Sequence, residues 1–106
     1  MDAKTATVVG ELHSSLTAVY RERLARLVLF GSRARGDADP ASDIDVLVVL
    51  KGGVDPGREI SRTGSVTAAL SLKHEVVISC SFASEDRFLT EQSPLLLNVR
   101  REGVPV

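Results

Sequence analysis

The sequence predicts a small α+β (α/β-like) domain in which a mixed β-sheet is flanked by helices. Two short segments, Leu27–Phe30 and Ile44–Leu50, are almost continuously apolar, as strands are when helices cover their sheet. Apolar residues at spacings of three and four before the first segment indicate an amphipathic helix that packs on this sheet. With 106 residues, the chain is long enough for one hydrophobic core and too short for two. We therefore expect a single domain over residues 1–106.

The N-terminal half is predicted to contain one helix and two strands. The residues that define the apolar helix face are Val8, Leu12, Leu16, Val19, Tyr20 and Leu24. The strand Leu27–Phe30 runs directly into Gly31 and Ser32, and a polar loop rich in turn-forming residues extends to Ser42. The second strand, Ile44–Leu50, follows this loop and ends where a lysine and two glycines begin.

The C-terminal half is predicted to contain a long helix, a third strand and further helices. Asp55–Pro56 supplies an N-cap and a first residue for a helix that ends near Leu72. The segment Glu75–Ser79 predicts the third strand. A last helix begins at Pro94 and has Gly103 as its C-cap residue.

The overall composition argues against several classes of protein. The formal net charge is -1, so the chain lacks a basic surface, and we expect no direct nucleic-acid binding. The single cysteine, Cys80, excludes an internal disulfide and a cysteine-based zinc site. The N-terminus has no apolar signal core, and no apolar run is long enough to span a bilayer. We expect a cytoplasmic protein with no membrane association.

Two aspartates, Asp43 and Asp45, stand at the entry to the second strand. Side chains two residues apart on a strand point to the same face, so these carboxylates should project side by side. Carboxylates this close repel one another, and either one of them is protonated or a cation lies between them. A pair of carboxylates suits a hard cation such as Mg²⁺, which also recruits phosphate oxygens as ligands.

The Gly31-Ser32 turn precedes this pair by about ten residues and is suited to anions. A turn between a strand and a short helix offers backbone N–H groups, and a neighbouring hydroxyl can bond a phosphate oxygen. Arg33 and Arg35 add positive charge beside it. An anion-binding turn next to cation ligands is the combination that a metal–nucleotide substrate requires.

The stretch "GSRARGDADPASDIDVLVV" resembles the signature of the minimal nucleotidyltransferase (MNT) family, within the DNA polymerase β-like nucleotidyltransferase superfamily. The tail "SPLLLNVRREGV" is similar to the end of one MNT subgroup, so the resemblance covers most of the chain. It implies the nucleotidyltransferase fold, which is built like the polymerase β palm.

The resemblance also implies roles for individual residues. Gly31 and Ser32 match the turn that holds the triphosphate of a nucleotide. Arg33 and Arg35 match the arginines of the motif, and the second of these positions often contacts the triphosphate. The two metal ligands of the family match Asp43 and Asp45. A third carboxylate, which acts as metal ligand and base, is assigned to Glu75, although the family more often has aspartate there.

The resemblance implies a reaction and a partner. The family uses a two-metal Mg²⁺ site to transfer a nucleotidyl group, here AMP from ATP or another NTP, to a hydroxyl group. Related MNT proteins act as antitoxins of a helical HEPN-type toxin, and some of them transfer AMP to a tyrosine of that toxin.

Two other functions are compatible with the sequence. One is an MNT-fold antitoxin with weak or no catalysis that neutralises its partner by binding, which the glutamate at position 75 favours. The other is a stand-alone transferase that modifies a small hydroxyl substrate. The oligomeric state is open, and a homo-oligomer is one alternative.

Each candidate residue also has a purely structural interpretation. Asp43 could cap a turn, and Ser32 could cap the short helix that follows it. Arg35 could pair with Asp37 or Asp39, and Arg33 could equally serve the fold. Glu75 could be a charge at the edge of a strand.

Overall fold

The computed structural model describes all 106 residues as one mixed sheet with helices on both faces. In chain order, the elements are α1 (Ala3–Tyr20), a short 3₁₀ turn (Arg21–Arg23), β1 (Leu24–Phe30), α2 (Ser32–Arg35), β2 (Ile44–Leu50), α3 (Pro56–His74), β3 (Ile78–Ser84), α4 (Glu85–Thr90), α5 (Pro94–Glu102) and β4 (Val104–Pro105).

The four strands lie in the order β3-β2-β1-β4. β1 pairs antiparallel with both β2 and β4, whereas β2 and β3 run parallel. The sheet is therefore mixed, which confirms the predicted α+β class. β2 is an inner strand, and every residue in it except Asp45 is buried. This position explains why its sequence is almost continuously apolar.

Helices cover the sheet on two sides and make two cores. The larger core lies under α1 and α3 and includes Leu12, Leu16, Leu29 and Val46. The smaller core lies under α4 and α5, and its members include Val28, Leu47, Val49, Phe88 and Leu96. Because strand side chains alternate between faces, Asp45 shares the second face with Leu47 and Val49.

α3 begins as the sequence predicts. The Asp55 side chain accepts a hydrogen bond from the Arg58 N–H, and Pro56 is the first helical residue. The helix ends at His74, two residues later than predicted, and His74 and Lys73 both pair with Glu11 of α1. None of the helices is both long and apolar enough to cross a membrane.

The strand ends differ from the prediction in three places. β1 begins at Leu24, so the residue expected to close the first helix belongs to the sheet. β3 covers Ile78–Ser84 rather than Glu75–Ser79, because Glu75 adopts a left-handed backbone with φ of 52° and caps α3. The two-residue strand β4 was not predicted, since nothing local distinguishes so short a strand from a coil.

Candidate active site

The candidate site begins with two acidic residues at the start of β2. Asp43 is exposed and directly precedes the strand, and Asp45 is its half-buried second residue. The pKa of the Asp45 carboxyl is raised, first by burial and then by the negative charge of Asp43, while the Arg35 charge lowers it. No hydrogen bond contributes to this shift. The Asp45 carboxylate is thus partly shielded from water, and no hydrogen bond within the protein offsets this burial.

Gly31 lies against the carboxylate of Asp45. The pairing of Phe30 with Asp45 brings the end of β1 beside the start of β2, so the next residue of the chain packs on this side chain. A Cβ atom at Gly31 would lie 2.5 Å from Asp45 Oδ2, and its φ of 75° also favours glycine. The structure therefore brings together the turn and the aspartate that the sequence separates by fourteen positions.

Ser32 is the first residue of the one-turn helix α2. Gly31 is the N-cap residue, and no side chain caps the helix, so the prediction that Ser32 could be the cap is wrong. The Gly31 carbonyl accepts hydrogen bonds from the N–H groups of Ala34 and Arg35. The N–H groups that precede these in a helix have no intrahelical acceptor and can bind an anion.

The Arg33 side chain is buried and points away from the surface of this turn. It is only 4% exposed, and its Nε and Nη2 donate to the Ser42 carbonyl at 3.0 and 2.7 Å. Its Nη1 donates to Thr5 Oγ1 at 3.0 Å and lies 3.8 Å from Asp2 Oδ2. The guanidinium thus ties the loop before β2 to α1, and its predicted contact with nucleotide stays a prediction.

Arg35 has the opposite orientation. Two residues along a helix are separated by about 200°, so Arg33 turns inward and Arg35 turns outward. Arg35 donates to Asp37 Oδ2 and Glu102 Oε1, each at 3.2 Å, from an exposed position. Exposed ion pairs of this kind contribute little stability and exchange readily for another anion.

Glu102 is the member of this region that the sequence did not predict. It lies at the end of α5, and only the packing of that helix beside the turn brings it to Arg35. No motif or spacing signals this contact, because the two residues are 67 positions apart.

Glu75 does not form a metal-binding group with the two aspartates. It is exposed, caps α3 and precedes β3, and the structure contains no group of three or more acidic, histidine or cysteine side chains suited to a metal ion. The residue of β3 that pairs with Asp45 is Ser79. The structure therefore does not assemble the three-carboxylate group expected from the resemblance.

The chemistry of Asp43 and Asp45 fits a divalent cation. Both provide hard oxygen donors on one face of the strand. The pKa of Asp45 is raised first by burial and then by the charge of Asp43, and a bound cation would offset both effects. Asp43 and Asp45 would hold such an ion together with water and phosphate oxygens, as Mg²⁺ prefers. The contact with Gly31 places the Asp45 carboxylate beside the turn.

Comparisons with known proteins indicate the family and the fold. The family model described as "Nucleotidyltransferase domain" matches residues 14–91. A protein of Methanocaldococcus jannaschii named "Putative protein adenylyltransferase" is 40% identical over 80 residues, which are 76% of this chain and 74% of that protein.

Solved structures show the same fold. The structure of a putative minimal nucleotidyltransferase has a TM-score of 0.60 and 31% identity, and the match covers all of this chain and 97% of the other. A crystal structure of a toxin–antitoxin with AMP-PNP has a TM-score of 0.62 over 88% of this chain and 68% of the other. Its identity is 18%, so it supports the fold alone.

Proposed function

This chain belongs to the nucleotidyltransferase family, and from that premise we propose that it transfers AMP from ATP to a hydroxyl group of a protein partner. The observation that carries the proposal is the contact between Gly31 and the unpartnered Asp45 carboxylate. It puts an anion-binding turn and a pair of cation ligands in one place. The similarity to a protein named as an adenylyltransferase supports AMP as the transferred group.

The turn and its arginine bind the triphosphate. Free N–H groups at the start of α2 and the Ser32 hydroxyl face the phosphate oxygens, and Gly31 allows the backbone to approach them closely. Arg35 exchanges its exposed contacts with Asp37 and Glu102 for the triphosphate. Arg33 acts indirectly, because it holds the loop that leads from this turn to Asp43.

Asp43 and Asp45 hold Mg²⁺ in this proposal. When bound, the ion supplies positive charge that polarises the α-phosphate and favours ionisation of the attacking hydroxyl. The two carboxylates fix the position of that charge, and the rigid inner strand fixes the carboxylates. Positioning and charge stabilisation are the main sources of rate enhancement in phosphoryl transfer.

The acceptor that suits this site is a tyrosine. Its oxygen attacks the α-phosphorus, the bond from that phosphorus to the bridging oxygen breaks, pyrophosphate leaves, and the phenolic proton passes to solvent. The protein offers no third carboxylate beside the aspartates to take this proton. A phenol ionises near pH 10, far below an aliphatic alcohol, and therefore depends least on such a base.

The proposed partner is a helical toxin of the HEPN type, which the chain neutralises as an antitoxin. The MNT resemblance of the sequence implies such a partner, and the fold shared with an antitoxin complex that contains AMP-PNP is consistent with it. In this arrangement the partner supplies the tyrosine, and the chain supplies the nucleotide and metal sites.

A catalytically weak antitoxin that acts by binding is the second candidate. The observation that favours it is the position of Glu75, which caps α3 and leaves the aspartates without a third carboxylate. In this case the partner would be neutralised without being modified.

One experiment separates the two functions. The chain is mixed with the partner, ATP labelled at the α-phosphate and Mg²⁺, and label on the partner is measured together with toxin activity. AMP transfer predicts label with the wild type and none with Asp43→Asn/Asp45→Asn or after chelation with EDTA. Equal label in the double variant would refute the metal site.

The matched control is Glu85→Gln/Asp86→Asn, which removes two acidic charges from the start of α4. This variant should label the partner as the wild type does. Neutralisation of the toxin without label, in wild type and Asp43→Asn/Asp45→Asn alike, would establish the binding function instead.

A further inference from the structure

The largest cavity of the molecule lies at the other end of β2 and has no part in the proposed transfer. Its volume is about 470 Å³, and its polar lining includes the loop that leaves the strand, Lys51–Gly53, and the first turns of α3. We propose that this cavity is a second anion site that binds a small polyphosphate or a similarly multiply phosphorylated ligand. The proposal does not depend on the transfer of AMP.

The cavity is separate from the candidate active site. Asp45 lies at the start of β2 and Lys51 follows its last residue, Leu50. A strand rises about 3.3 Å per residue, so the two sites are roughly 20 Å apart. An anion bound at one site cannot contact the other.

Four cationic side chains and two carboxylates line the cavity. The cationic residues are Arg23, Lys51, Arg58 and Arg62, and the acidic ones are Asp55 and Glu59. The excess of positive charge gathers here although the whole chain carries a formal net charge of -1. Such local concentration attracts multiply charged anions.

Both carboxylates are already engaged within the protein. Asp55 caps α3 by accepting the Arg58 N–H. Glu59 is buried, accepts the Tyr20 hydroxyl at 2.8 Å and pairs with Arg62 at 3.6 Å. The salt bridges of the chain include neither Lys51 nor the Arg58 side chain. Two cations are thus free to bind a ligand.

The loop beside these cations is held by Arg23. Arg23 donates to the Lys51 carbonyl at 3.2 Å and to the Gly53 carbonyl at 2.9 Å. These bonds engage the carbonyl oxygens, which would otherwise repel an anion. Neither Gly52 nor Gly53 donates its N–H to a backbone acceptor. Arg23 thus both fixes the loop and contributes charge to the cavity.

The lining identifies the chemical class of the ligand. Only one of its nine residues, Val54, is hydrophobic, and none is aromatic. A nucleobase would find no stacking surface, so recognition must depend on phosphate charge. The volume falls in the usual range of about 300–1,000 Å³ for small-ligand sites. We expect inorganic triphosphate to bind at least as tightly as ATP.

The test is calorimetric titration of inorganic triphosphate into the full chain in EDTA at low salt. Lys51→Ala/Arg58→Ala should weaken binding about tenfold or more, since each lost charge-assisted hydrogen bond changes affinity by a factor of that order. The matched control Lys4→Ala/Arg101→Ala also loses one lysine and one arginine and should bind as the wild type does. Equal affinity of the wild type and Lys51→Ala/Arg58→Ala would overturn the proposal.

Amide shifts in NMR spectra identify where the anion binds. Triphosphate should move the signals of residues 52–58, whereas shifts confined to residues 31–36 would assign the binding to the other turn and overturn the proposal. Tighter binding of an RNA oligonucleotide that lacks a terminal phosphate than of triphosphate would also contradict the proposed polyphosphate site. Should the alanine variant fail to fold, Lys51→Gln/Arg58→Gln retains polar side chains, and the same loss of affinity is expected.

Discussion

The start of β2 and the start of α3 each contain a carboxylate removed from water, and the protein treats the two differently. Glu59 in α3 is buried, yet the Tyr20 hydroxyl and Arg62 satisfy it. Asp45 in β2 is half-buried, and burial and then the charge of Asp43 raise its pKa, while only the charge of Arg35 lowers it. A buried charge without a partner costs free energy. If stability were the only requirement, we would expect such a charge to have a hydrogen-bond or salt-bridge partner. This contrast supports the proposal that Asp45 binds a ligand.

The Tyr20–Glu59 pair shows how the fold satisfies a buried carboxylate with a hydrogen bond. Burial and then the hydrogen bond to Glu59 raise the pKa of the Tyr20 phenol, so this group stays protonated and donates. Every buried side-chain polar atom in the chain has a hydrogen-bond partner. Against that background, the half-buried Asp45 carboxylate, to whose pKa shift no hydrogen bond contributes, supports the proposed metal site.

Neutralising both aspartates is the strongest test of this comparison. Asp43→Asn/Asp45→Asn should lower the rate of AMP transfer by about 10³-fold or more, because the charge that stabilises the transition state loses its ligands. The free energy of unfolding should not fall, since the repulsion between the carboxylates disappears. Transfer assays and urea unfolding of the same samples measure both effects. A large loss of stability would mean that the aspartates serve the fold, as Glu59 does.

Substitution of Arg33 tests a buried charge whose hydrogen bonds are all made within the protein. Arg33→Ala leaves the Ser42 carbonyl without its donors and removes the link to Thr5, so we expect a loss of about 2–4 kcal/mol in unfolding free energy. Arg35→Ala, the control two residues away, should change stability by about 1 kcal/mol or less. Arg35→Ala should instead raise the KM for ATP. Similar losses of stability in both variants would contradict the assignment of these two arginines.

Gly31 tests whether the turn and the aspartate form one site. Gly31→Ala places a Cβ atom against Asp45 and imposes a left-handed backbone on alanine, so it should cost more than the roughly 1 kcal/mol expected from backbone strain alone. Gly36→Ala is the matched control, because its φ is 83° and its Cβ meets no atom within 4 Å. Thermal or urea unfolding gives both values. Equal costs would show that Asp45 moves away freely and that the contact does not constrain the site.

The smallest expected effect is a pH dependence from Asp45. An acid whose pKa is raised on folding contributes stability that is fully present below its unfolded value, 3.8, and is lost as the pH rises through the folded value. Asp45→Asn removes this dependence. In EDTA it should therefore be more stable than the wild type at neutral pH, and the advantage should shrink as the solution is acidified. A stability advantage of Asp45→Asn that grows on acidification would mean that burial and Asp43 do not raise the pKa of Asp45.

Local sequence patterns predict correctly those elements whose structure depends on neighbouring residues in the chain. Ile44–Leu50 is the predicted strand, and α3 begins at Pro56 after the Asp55 cap. These features follow from apolar periodicity and capping, which act over a few residues. The pairing of Asp43 with Asp45 on one face depends on strand geometry alone, and so does their repulsion. The sequence alone therefore predicts this acidic pair as candidate metal ligands.

The differences between prediction and structure have a common cause in long-range packing. The apolar residues after Glu75 predict a strand that includes it, but Glu75 adopts a left-handed conformation and ends α3. The position of Arg33 beside the turn predicts a nucleotide contact and does not reveal that its acceptors within the protein lie in a loop and in α1. Contacts of this kind cannot be inferred from spacing, since they join distant parts of the chain.

Four features follow from the sequence without the fold: the fold class, the acidic pair at the start of β2, the glycine turn and the resemblance to nucleotidyltransferases. Folding brings Ser79, not a carboxylate, beside Asp45, exposes Arg35 to solvent, and gathers four cationic side chains around one cavity. These two groups of features differ in the range of the interactions that fix them. Periodicity, caps and turns are fixed within a few residues, whereas burial and charge pairing depend on where the folded chain places residues that are far apart in sequence.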